Sequence, residues 1–137
     1  MHNPLFWIEW LDRLDRVLTS ARQDVAVLKR AVSPRGLEAI DRSRRQLAAL
    51  INDLRLLDPD VLARAASTSV AARANSGAAD ALQAALEATV VKLGSLAEIP
   101  AASAPGVLDR MLAVSDAALR DSCYEAAMLL VPHRRRA

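Results

Sequence analysis

The chain has 137 residues, enough for one domain with a real core, and 53% of them are hydrophobic while only 3% are aromatic. That balance excludes a disordered chain, and the dominance of Ala and Leu, both strong helix formers, points to an all-α fold. The net charge is only +2, from 18 basic and 16 acidic side chains, which excludes a strongly polyanion-seeking protein.

The basic set is almost entirely arginine, with Lys29 and Lys92 the only lysines. Arginine suits bidentate recognition of phosphate or carboxylate, although a GC-rich coding sequence produces the same bias without any function. The single cysteine, Cys123, excludes an internal disulfide and fits a reducing compartment. Glu9 and Asp12 interrupt the first apolar run and no basic leader precedes it, so no signal peptide is expected there. The longest uncharged run, Ile99 to Leu108, is ten residues with two prolines, too short to span a bilayer. The expected location is therefore cytoplasmic.

Trp7 to Val32 sets the architecture. Trp7, Leu11, Leu14, Leu18, Ala21, Val25, Leu28 and Val32 alternate in steps of four and three, one stripe of an amphipathic helix. Asn3 and Pro4 read as its N-cap and first-turn proline, and Ser33-Pro34 with Gly36 as its break. A second helix is predicted over Arg35 to Leu57, with Leu37, Ile40, Arg44, Leu47, Ile51 and Leu54 inward. The short link makes the two an antiparallel hairpin.

A weaker third helix is predicted from Val61 to Ala74, between Asp58-Pro59-Asp60 and a turn at Asn75-Ser76-Gly77. The fourth carries Ala79, Leu82, Leu86, Thr89, Leu93 and Leu96 inward, and the third and fourth merge if that turn is absent. After a loop over Ile99 to Gly106, a fifth helix covers Val107 to Val131, with Leu108, Leu112, Leu119, Ala126 and Leu129 inward. Pro132 is expected to stop it and to leave residues 133–137 as a flexible basic tail on a single domain over 1–132. The expected fold is an all-α bundle of five, or four, mostly antiparallel helices.

Signals for catalysis are sparse. His2 and His133 stand at opposite ends, so no His-Cys or His-His zinc spacing exists, and the four glycines build no phosphate loop. Cys123 has no His or Lys within a helical turn and reads as a structural thiol. No cofactor, metal or small-molecule substrate is expected, and enzyme activity is not.

Four features remain. Phe6, Trp7 and Trp10 gather three of the four aromatics. Phe6 and Trp10 either lie beneath another helix, near Tyr124 or Met128, or form a docking patch for a protein partner. Arg44 is a charge on an inward stripe, which must snorkel, find a carboxylate, or face something other than core. Glu9–Arg13, Asp12–Arg16, Glu38–Arg42 and Asp41–Arg45 are i,i+4 pairs typical of a solvated face, whereas Arg22, Lys29, Arg30 and Arg35 lack such a partner. Together with Arg44 these form a candidate phosphate-tracking strip over the first two helices. Residues 1–56 carry +3 and residues 57–137 carry −1. The last feature is Arg134 to Arg136, either a solvated end or a further phosphate contact.

Two functions follow as expectations. One is a small helical subunit of a nucleoprotein assembly, supporting an RNA or single-stranded DNA backbone beside other protein subunits. In size, mild basicity and helical content the chain is similar to the small all-helical subunits of multi-protein CRISPR effector complexes, a likeness of architecture that no motif carries. The other is a protein-binding adaptor or secretion-type chaperone that docks its partner through Phe6 and Trp10.

Overall fold

The computed structural model describes residues 4–56, 78–99 and 105–134, with side chains over 9–54, 80–99 and 106–128. These residues form four helices: α1 (Pro4–Arg30), α2 (Pro34–Leu56), α3 (Ala78–Ala97) and α4 (Pro105–Arg134). The helix expected over Val61 to Ala74, its flanking turns, and most of the loop before α4 lie outside the described residues. Among the described residues the fold is all-helical, and no helix is long and apolar enough to cross a membrane.

Each helix packs on two neighbours, α1 and α3 both lying between α2 and α4. The direction of each pair follows from which residues meet. Trp10 meets Leu50 and Asp24 meets Ser43, so α1 and α2 are antiparallel. Leu37 lines one groove with Ala97, and Thr89 meets Ser122 while Ser95 shares a groove with Met111. Lys29 meets Asp116. Every neighbouring pair is thus antiparallel, an up-down-up-down bundle about 40 Å long on the rise of the 27-residue α1.

The α1 stripe behaves as its spacing predicts from Leu11 to Leu28, with all six seam residues buried. Its end differs. The helix stops at Arg30 and Val32 is exposed, because Ser33 acts as the N-cap of α2. The Ser33 hydroxyl accepts the Gly36 amide at 3.0 Å and Pro34 takes the first helical position, where its missing N–H costs nothing. A Cβ at Gly36 would stand 2.7 Å from Leu28 Cδ2, so any larger residue there would make the Leu28 side chain shift.

On α2 the seam is Ile40, Ser43, Leu47, Leu50, Ile51 and Leu54. Arg44 is therefore off the core, and Ser43, which the sequence reading passed over, holds the inward position. On α4 the seam contains two serines, Ser115 and Ser122, between Leu112, Leu119 and Ala126. Pro132 does not end α4, whose backbone continues to Arg134, so His133 and Arg134 belong to the helix and not to the expected tail. The missing N–H leaves the Met128 carbonyl open, one more beside the four that any helix C-terminus leaves unpaired.

Small and hydroxylic seam residues let α3 and α4 approach closely. The Thr89 hydroxyl lies 2.8 Å from the Ala85 carbonyl, 3.0 Å from the Ala118 carbonyl and 2.7 Å from Ser122 Oγ, tying the two helices at mid-length.

Candidate functional site

The five candidate phosphate-binding residues do not converge. Arg22 and Lys29 lie on the flank of α1 that faces α4. Lys29 Nζ pairs with Asp116 at 3.4 Å, and the Arg22 charge acts on the half-buried Cys123 thiol. Burial pushes the Cys123 thiol up, with Arg22 pulling the other way. Arg120 donates to Asp116 at 2.6 Å and holds its carboxyl below the ordinary value against the opposing effect of burial, with Lys29 adding to the lowering.

Arg44 lies on the opposite side of the hairpin, toward α3. Its Nε and terminal nitrogen both donate to Asp41, at 2.9 and 2.7 Å, and Arg45 takes the other oxygen of the same carboxylate at 3.3 Å. The Arg44 stem runs over Gly94, where a Cβ would stand 3.1 Å from Arg44 Cδ. Of the possibilities that the inward stripe raised for it, Arg44 takes two, a carboxylate partner and a stem laid along a neighbouring helix. Arg30 and Arg35, on either side of the α1–α2 turn, are exposed and have no ion-pair partner among the described residues. Of the expected i,i+4 pairs, Asp12–Arg16 forms at 2.8 Å and Asp41–Arg45 at 3.3 Å.

Trp10 is fully buried and its Nε1 donates to the Leu50 carbonyl at 3.1 Å, so α2 covers it. As a surface anchor Trp10 is corrected to a core residue, its indole N–H being satisfied inside the bundle. The Phe6 and Trp7 side chains lie outside the described residues. Tyr124 and Met128 are exposed.

Seven large hydrophobics remain exposed among the described residues, and five of them, Val91, Val107, Val114, Tyr124 and Met128, are on α3 and α4. Val107, Val114 and Met128 stand at multiples of seven along α4, in one outward column that the exposed Asp121 interrupts between Val114 and Met128. Next to this column Lys92 and Ser95 of α3 and Arg110, Met111, Val114 and Ser115 of α4 line a notch of ≈ 210 Å³. Lys92 and Arg110 have no ion-pair partner among the described residues. Ser115 is buried, and its hydroxyl is the one buried side-chain polar atom among them with no hydrogen-bond partner.

Sequence reasoning missed this surface, and two signals were present. Neither Lys92 nor Arg110 has an acid four residues before it, Ala88 and Gly106 occupying those places. The Val107–Val114–Met128 column also lies off the Leu108–Leu112–Leu119 seam, so α4 is apolar on two sides. Among the described residues no group of His, Cys, Asp and Glu side chains is placed to hold a metal ion. Comparison with models of known protein families, with curated proteins and with solved structures gives no match to this chain.

Proposed function

We propose that this chain is a non-enzymatic helical module that binds a protein partner through the outward side of α3 and α4. The observation that carries the reading is the gathering of Val91, Val107, Val114, Tyr124 and Met128 there, beside two cations without ion-pair partners. Single exposed hydrophobics need no explanation, but a column of them on two adjacent helices is the pattern of an interaction surface. Tyr and Met are also enriched at interfaces.

The test is co-purification from the native host with the double substitution Val91→Asp/Val114→Asp. Both positions are exposed, so the urea melt is expected to stay at the wild-type midpoint while stoichiometric partners are lost. Retention of the same partners by the double variant refutes the reading.

A second reading keeps one specific observation. Arg30 and Arg35 are exposed and without ion pairs at one end of the hairpin, which favours a phosphate contact in a nucleoprotein assembly. Under it, Arg30→Ala/Arg35→Ala lowers the salt slope of RNA or single-stranded DNA binding by about two units, roughly one per phosphate contact. An unchanged slope refutes it.

A further inference from the structure

Four grooves between neighbouring helices are formed by described residues, and their charges differ. The α2–α3 groove is lined by Glu38, Asp41 and Glu98 beside Arg42 and Arg45. The α1–α2 groove has Asp53 facing Arg13 and Arg16, and the α1–α4 groove has Asp116 beside Arg22. Only the α3–α4 notch is lined by cations, Lys92 and Arg110, with no carboxylate. Its remaining lining is Ser95, Met111, Val114 and the buried Ser115.

From this we infer that the α3–α4 notch docks an acidic amphipathic helix of a protein partner. The inference rests on the protein-binding reading and adds the chemistry of the partner. A Glu or Asp side chain of the docked helix enters between Lys92 and Arg110. The apolar face of that helix covers Val91, Met111 and Val114, with Val107 extending the contact toward the start of α4 and Asp121 bounding it on the other side. Anchors at i, i+3, i+4 and i+7 on the partner match a column repeating at sevens. Charge complementarity selects an acidic helix over a basic one, which would set like charges against Lys92 and Arg110.

The experiment uses the full chain, ¹⁵N-labelled, and three synthetic helical peptides with leucine at the a and d positions. The e and g positions carry Glu in the first, Gln in the second and Lys in the third. The Glu peptide is expected to shift the amides of Val91 to Ser95 and Arg110 to Ser115, and to bind about tenfold more tightly than the Gln peptide. Lys92→Gln/Arg110→Gln is expected to abolish that tenfold difference, and the Lys peptide to bind weakest. Equal affinity of the Glu and Gln peptides on these same amides overturns the acidic ligand while leaving protein docking intact. Shifts confined to other helices, or none, overturn the notch as the docking site. A single-stranded oligonucleotide that shifts these amides at lower concentration than the Glu peptide overturns it in favour of nucleic acid.

Discussion

Removing the Thr89 hydroxyl isolates what holds α3 to α4. That hydroxyl has one hydrogen and two lone pairs, yet three oxygens stand within 3.0 Å of it. It donates to one carbonyl, Ala85 or Ala118, and accepts from Ser122 Oγ. Thr89→Val keeps the shape of the side chain and leaves the fully buried Ser122 hydroxyl without its partner, at about 1–3 kcal/mol. Ser122→Ala is milder, about 0.5–1.5 kcal/mol, because Thr89 still reaches a carbonyl and Ala is the better helix former. The double variant removes both partners, so it is expected to be less destabilised than the two single losses combined, with a coupling of about 1–2 kcal/mol. Urea melts of the four proteins measure this, provided the m-values agree. Additive losses would refute the paired hydroxyls as the tie between the helices.

Leu18→Ala and Leu47→Ala, both at fully buried seam positions on α1 and α2, are each expected to cost about 2–5 kcal/mol, and a wild-type urea midpoint for either would place it outside the core. Trp10→Phe removes the donor to the Leu50 carbonyl as well as ring volume, for an expected loss of about 1–3 kcal/mol in the same melt. Asp116 titrates below the ordinary carboxylate value of 3.8 in the folded state, so the unfolded chain binds more protons between the two values. Stability from its contacts with Arg120 and Lys29 is present above pH 3.8 and is lost as the pH falls through the folded value. Asp116→Asn is expected to flatten the acid limb of urea midpoint against pH, and added salt to shrink it in the wild type, whereas an identical acid limb would exclude Asp116 as its source.

The seams were legible because burial repeats with the helical period. Leu11 to Leu28 on α1 and Leu82 to Leu96 on α3 fall where spacing predicts them, Thr89 included. Periodicity alone did not separate Ser43 from Arg44, since either residue continues the step from Ile40 to Leu47. The structure settles it through Asp41, which holds the Arg44 head, and Gly94, which admits its stem. Ser115 and Ser122 escaped notice because a search for apolar seam residues skips serine, although their spacing fits. The partners of two residues of the basic strip were out of reach for a different reason. Partners for Arg22 and Lys29 lie on α4, about ninety residues away in sequence, so no i,i+4 test finds Cys123 or Asp116. Trp10 illustrates the same limit, its acceptor being a backbone carbonyl forty residues on.

Site-specific photocrosslinking tests the central claim, that α3 and α4 present the partner-binding side, most directly. A benzophenone amino acid is placed singly at Val91, Val114, Arg16 and Gln46 in the native host, followed by irradiation and mass analysis. The account gives a single protein adduct from Val91 and Val114 and none from the α1 and α2 positions. A partner adduct from Arg16 or Gln46 with none from Val91 and Val114 would contradict it.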